Sequence, residues 1–266
     1  MPPERGYPAG TFWTARMVTA DRTRNRIDNV LSWCTARGHR PKDLPNPAAW
    51  SGNLEHVLAS PSKAVRKVHH AAVPFIEVPG LMAELVKREG VGVKALVFTI
   101  MTAARAGETL GATWDEIDLD NAVWTIPATR MKGRREHRVP LPPQVVELLS
   151  GLYREDGNEY LFIGARNQRL GEIAMYATLH RLGRSETVHG FRSAFSDWAH
   201  ERTSASNHVI ELSLAHNIGS EVERSYRRTD LFERRRKLME QWAMFVTTVP
   251  KAESGKVVAL RQGAPA

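Results

Sequence analysis

Several short stretches of this sequence carry side chains that could bind an anion, move a proton or act as a nucleophile. In Val188-His189-Gly190-Phe191-Arg192 a titratable imidazole and a guanidinium sit three residues apart at a predicted helix start, so both can turn toward one anion near free backbone N–H groups. Arg105 follows directly on an apolar run and needs a partner or a ligand there; Glu108 is close enough to brace it. Lys132 lies in a basic, glycine-containing turn, where a flexible ammonium can give a proton to a leaving oxygen. His216 precedes Tyr226 by ten residues, and a tyrosine among Ser225, Arg227 and Arg228 is either exposed or poised as a nucleophile. Each fragment alone has an ordinary alternative: a capping histidine with a surface arginine, a helix-end arginine, a solvated lysine, a surface tyrosine.

These residues must be carried by elements, and periodicity predicts mostly helices. An amphipathic helix is expected over 20–36, with Ile27, Val30, Leu31 and Cys34 on one face and Arg22, Arg24 and Arg26 elsewhere as a DNA-facing surface. A short helical piece is expected over 50–58, and the basic, proline-containing stretch 60–70 reads as a boundary. Further helices are expected over 81–88 and 93–104, the second so apolar that it belongs at the centre of the core, and then over 108–114. Residues 122–127 and 137–141 flank the turn of Arg130, Lys132, Arg134 and Arg135 and read as a β-hairpin whose arginines reach a DNA backbone. Helices resume over 143–153, 172–182, 190–202, 209–215 and 231–245. The fold class is therefore α+β, mostly α-helical, with a small antiparallel sheet.

Composition narrows the partner. With 37 Lys and Arg against 29 Asp and Glu, the formal charge of +8 favours a polyanion, because cations that neutralise phosphates release counterions. The one cysteine, Cys34, excludes an internal disulfide framework and a multi-cysteine zinc site, and buried packing is its expected role. The sequence contains neither a long apolar run nor the apolar core of a secretion signal, so a cytoplasmic protein with no membrane partner is expected, associated with the nucleoid when bound to DNA. There is no GxxxxGK[ST] phosphate loop and no paired-carboxylate metal motif, so neither a cofactor nor a metal is expected.

In order and spacing the set Arg105, Lys132, His189-x-x-Arg192, His216 and Tyr226 resembles the tyrosine recombinase superfamily. The words RMKGRREHRVPL, HGFRSAFSDWAHE and LAHNIGSEVERSYRRTDLFERRRKLMEQWA are similar to prophage and genomic-island integrases of the satellite-phage type. The resemblance implies that Arg105 and Arg192 bind the scissile phosphate and that Lys132 protonates the leaving 5′ oxygen. It makes His189 the general acid/base, has His216 hydrogen-bond a nonbridging oxygen, makes Tyr226 the nucleophile and gives Glu108 a supporting role. Ala215 stands where many relatives carry glycine. The implied organisation is a partial helical core-binding domain over 1–62, a catalytic domain over 63–249 and a flexible tail over 250–266, the chain beginning partway through the core-binding domain. Implied partners are double-stranded DNA at attachment core sites, a monomer free in solution that becomes a tetramer on paired sites, and DNA-bending accessory proteins as optional helpers. Delivery of Tyr226 within its own subunit or to a neighbour stays open, as do two rival activities, a noncatalytic DNA-binding remnant and a type IB topoisomerase.

Overall fold

A computed structural model describes residues 12–60, 73–216 and 229–248, and the chain divides into two compact units, Met1–His69 and His70–Ala266. The expected boundary at 62/63 and the expected tail over 250–266 fall outside the described residues, as does Tyr226.

The first unit holds α1 (Phe12–Ala15), α2 (Met17–Ala36) and a single 3-10 turn at Leu54–His56 in place of the expected helix over 50–58. Its loops dock on the face of α2 that carries Ala20, Arg24 and Asp28. Asn46 Nδ2 donates to the Asp28 carboxylate at 2.7 Å, and Arg24 Nη1 donates to the Ala48 carbonyl at 2.9 Å. The Arg24 guanidinium lies 5.6 Å from the Trp50 ring, which stacks on Trp13. The expected apolar face is thereby turned outward: Ile27 and Val30 are exposed, Leu31 and Cys34 half-buried. Anchoring by polar side chains from the loop has overridden the apolar periodicity. Cys34 is thus a half-buried free thiol and not a core residue.

In the second unit, helices enclose one core. After α3 (Val78–Leu85), helix α4 (Val91–Thr102) is buried along nearly its whole length, from Val93 through Thr102, because no polar stripe interrupts it. Gly92 lets α7 (Ile173–Arg181) approach closely, since a Cβ there would stand 3.2 Å from the Ala174 carbonyl oxygen. Phe98 of α4 meets Trp124 and Phe162 edge-on, with centroids 5.2 and 5.5 Å apart. From the other side Trp242 of α10 (Phe232–Thr247) donates its indole N–H to the Ile100 carbonyl at 2.7 Å.

Between these helices lie the short α5 (Ala106–Leu110) and an antiparallel sheet in the order β1 (Ile117–Asp118), β2 (Val123–Ile126), β3 (His137–Pro140). The hairpin register pairs Trp124 with Val139 and Ile126 with His137. Trp124 and Ile126 point inward by the period-2 rule. Then follow α6 (Pro143–Ser150), α8 (Gly190–Arg202) with the bounds the sequence predicts, and α9 (Asn207–Ser213). Among the described residues no helix is long and apolar enough to cross a membrane.

Candidate active site

Helix α4 ends at Ala103 in the left-handed conformation (φ 50°), and this turn places Arg105 at the N-cap of α5. There Glu108 performs two tasks. Its Oε2 accepts the Arg105 backbone N–H at 2.9 Å, and its Oε1 takes the Arg105 guanidinium at 2.7 Å. Glu108 is buried and Arg105 half-buried, and this ion pair fixes the direction in which the rest of the guanidinium points. That direction is toward the end of α9: Arg105 Nη2 lies 3.4 Å from the carbonyl oxygens of both Leu214 and Ala215.

Arg192 reaches the same corner from α8. It is 4% exposed, and its Nη1 donates to the Ala103 carbonyl while its Nη2 donates to the Leu214 carbonyl. The same Nη2 lies 3.3 Å from His216 Nε2, and His216 Nδ1 lies 2.8 Å from the Glu211 carboxylate on α9. Arg105, Arg192 and His216 therefore converge although 87 residues of chain separate the two arginines. Arg192 forms no ion pair within 4 Å among the described residues; its acceptors are carbonyls. Burial, and then the like charge of Arg105, lower its pKa to about 10 against the opposing pull of Glu108 and Glu211, so it stays a cation at neutral pH. A buried cation bonded only to neutral groups among the described residues, set beside a second cation that Glu108 holds in place, favours a bound anion.

His189 occupies the N-cap position of α8, three residues before Arg192, without a side-chain capping bond, and is exposed, whereas Arg192 is buried. Lys132 is exposed on the turn between β2 and β3, as are Arg134 and Arg135, and Arg22 and Arg26 are exposed on α2. Two of the expected DNA contacts sit elsewhere. Arg24 is half-buried against Ala48 and Trp50, and Arg130 folds inward onto both oxygens of Glu116 and the Glu108 carbonyl. Glu116 also accepts the Trp124 indole N–H at 2.9 Å. Arg130 thus ties the root of the lysine-bearing turn to the helix that carries Glu108. Its guanidinium occupies the space over Gly111, where a Cβ would stand 2.9 Å from Nη2.

Sequence reasoning missed Glu116, Glu211 and His137. Only Glu211 had a local signal, an acid just over one helical turn before His216. His137 opens β3, and its pKa is lowered to about 3, first by burial and then by the positive charges of Arg235, Arg192 and Arg105, with Asp230 opposing. It is neutral at physiological pH.

Residues 77–231 match the family model described as the phage integrase family. The chain is 30% identical over 235 residues to prophage integrase IntS of Escherichia coli K12, covering 85% of this chain and 58% of that protein. Identity and both coverages are the same for the integrase of Shigella phage Sf6. The chain therefore spans a little under three-fifths of these relatives' length. Among solved structures, a lambda integrase dimer bound to a COC′ core site superposes with a TM-score of 0.56 at 16% identity, covering 77% of this chain and 74% of that one. The integrase of mycobacterium phage Brujita gives 0.52 at 17% identity, covering 88% and 81%. At such identities the likeness concerns the fold.

Proposed function

Because the chain belongs to the phage integrase family, we propose that it is a tyrosine site-specific recombinase that cuts and rejoins double-stranded DNA through a 3′-phosphotyrosine at Tyr226. The observation that carries this reading is the arginine corner, a buried Arg192 beside Arg105 with carbonyl acceptors and no carboxylate bonded to Arg192. A scissile phosphate supplies the missing negative charge there. In the transition state that charge grows, so preorganised donors stabilise it more than the ground state; losing one such donor typically costs a factor of about 10²–10³ in rate.

The Tyr226 oxygen attacks phosphorus, the bond to the 5′ oxygen breaks, His189 takes the phenolic proton and Lys132 gives a proton to the departing 5′ oxygen. His216, oriented by Glu211, hydrogen-bonds a nonbridging oxygen. The tyrosyl ester conserves the bond energy, so a 5′-hydroxyl from a partner strand reverses the step without a nucleotide cofactor. Exposed Arg134, Arg135, Arg22 and Arg26 are backbone contacts in this reading. The substrate is a pair of attachment core sites in the cytoplasm, at the nucleoid, on which the protein acts as a tetramer, with DNA-bending proteins as optional helpers.

The test is a nicked suicide duplex carrying the cognate core site. The protein should form a denaturant-resistant adduct that Tyr226→Phe abolishes while leaving DNA binding intact. An adduct that survives Tyr226→Phe refutes the assignment. Binding without any adduct points instead to a DNA-binding remnant.

A further inference from the structure

Three residues beyond Tyr226 the described chain resumes at Thr229, and the next four residues form a corner tied down more heavily than the start of a helix requires. Leu231, the N-cap of α10, adopts the left-handed conformation (φ 52°, ψ 36°), and its N–H donates to Thr229 Oγ1 at 3.1 Å. The neighbouring Asp230 is of a type favoured at helix starts, and its carboxylate takes a backbone hydrogen bond from Phe232, the first residue of α10. It also accepts from Arg138 of β3, at 3.1 Å from Nε and 2.9 Å from Nη2, and from Arg235 Nη2 at 2.9 Å.

Arg235 is 1% exposed, and all three of its nitrogens are engaged in this corner. Nε donates to the Asp230 carbonyl at 2.8 Å, and Nη1 to the Arg138 carbonyl at 2.6 Å. The Phe232 ring lies under the group, 4.5 Å from the Arg138 guanidinium carbon and 5.5 Å from that of Arg235. One carboxylate, two guanidiniums and one ring thus weld the entry of α10 to β3. Polar clusters of this kind add little net stability compared with apolar packing. What they do add is a fixed position and direction for the chain.

That position bears on the nucleophile. Asp230 follows Tyr226 by four residues of sequence, a stretch of chain no longer than about 14 Å when extended. On the other side of the segment, the carbonyls of Leu214 and Ala215 are gripped by Arg192 and Arg105, the residues assigned to the phosphate. We propose that Asp230, held by Arg138 and Arg235, is a positioning residue for Tyr226, fixing the point at which the segment bearing the nucleophile rejoins the catalytic fold. The proposal rests on the recombinase reading of Tyr226.

Positioning and phosphate activation separate when the tyrosine is replaced by a diffusible nucleophile. In a Tyr226→Phe background the hydroperoxide anion attacks the same phosphorus and expels the 5′ oxygen. It leaves a 3′-peroxyphosphate end and a 5′-hydroxyl, using the arginine corner and needing no tether. The full chain is compared as wild type, Asp230→Asn, Arg138→Gln, Tyr226→Phe and Tyr226→Phe/Asp230→Asn on the nicked core duplex. Asp230→Asn should slow formation of the tyrosyl adduct about ten- to a hundredfold, as misplacement of a reacting group does. DNA affinity and its salt slope should stay unchanged, and hydrogen peroxide should cleave equally fast with Tyr226→Phe and with Tyr226→Phe/Asp230→Asn.

An unchanged adduct rate in Asp230→Asn overturns the proposal, and so does a peroxide rate that falls by the same factor, because the cluster would then serve the phosphate site or the fold at large. Should Asp230→Asn fail to unfold cooperatively, Arg138→Gln, which removes only the more exposed arm, decides by the same ratio of tyrosyl to peroxide cleavage. A wild-type protein that forms no adduct refutes the recombinase reading itself, whereas a wild-type adduct with an unaffected variant refutes only the clamp.

Discussion

Acidification through the histidine range should destabilise this protein, and His137 should account for about 2 kcal/mol of the effect between pH 7 and pH 5. Its ring is half-buried at the start of β3, near Arg235, Arg192 and Arg105 with Asp230 opposing them, and its pKa falls from 6.5 to about 3. The folded state therefore refuses a proton that the unfolded chain accepts. The stabilising difference is fully present above pH 6.5 and is lost progressively as pH falls toward 3. Over that whole window it amounts to roughly 3–5 kcal/mol, and between pH 7 and pH 5 to about 2 kcal/mol. Against a typical domain stability of about 5–15 kcal/mol, a loss of 2 is readily measured.

Urea unfolding at pH 7, 6 and 5 gives the slope, and His137→Asn, which cannot titrate, should flatten it by about 2 kcal/mol over this interval. His200, raised because its ring donates to the Ser196 carbonyl and then to Asn207 Oδ1, works in the opposite sense, since its contribution is present at low pH and lost as pH rises. It is common to both proteins, so the difference between them isolates His137. Asp118 and Asp230, both held below the usual carboxylate range, titrate beneath the interval. Identical slopes in the two proteins, or stabilisation of the wild type on acidification, would refute the reasoning.

Three further outcomes are expected. Arg130→Met leaves the Glu116 carboxylate buried beside the Trp124 indole and should cost about 3 kcal/mol in urea unfolding while leaving the salt dependence of DNA binding unchanged; a shallower salt slope would make Arg130 a phosphate contact after all. Ala215→Gly should stabilise the fold by up to about 1 kcal/mol, because the residue sits at φ 50°, and a thermal midpoint that falls would contradict this. Lys132→Ala should slow cleavage of an ordinary substrate far more than of one with a 5′-bridging phosphorothiolate, whose sulfur leaves without a proton; equal losses remove Lys132 from the general-acid role.

Local pattern carried the helices and the hairpin into view. Helix α8 keeps the bounds read from its sequence, and α4 is central because its apolar run has no polar side. The two-residue β1 was invisible, being too short for any alternation to register. The arginines show why the site was only partly legible. Arg105 and Arg192 stand next to core sequence, so their need for an internal or ligand partner follows from position. Arg130, Arg24, Arg134 and Arg22 look alike in sequence, yet the first two turn inward because Glu116 and the Ala48 carbonyl are brought to them by tertiary packing. The exposed Ile27 and Val30 carry the same lesson for apolar residues: periodicity defines a face, but the loop that docks decides which face is covered. The placement of Tyr226 lies outside the described residues.

Three non-glycine residues with left-handed backbone, Ala103, Ala215 and Leu231, sit at the ends of helices around the candidate site. Such a conformation costs about 1–2 kcal/mol per residue. At each corner an arginine bonds the backbone there: Arg192 takes the Ala103 and Leu214 carbonyls, Arg105 reaches the Ala215 carbonyl, and Arg235 takes the Asp230 carbonyl. Hydrogen bonds to a charged group contribute about 1.5–3 kcal/mol, enough to offset the strain. Strain and guanidinium thus depend on each other. Without the arginine the corner would relax toward an ordinary helix end, and without the corner the arginine would lack its acceptor. The consequence is directional: because the carbonyls hold one side of Arg105 and Arg192 in place, their remaining N–H groups have few other orientations to adopt. A phosphate can then be bound without reorganising the donors, which is the condition under which hydrogen bonds act chiefly on the transition state.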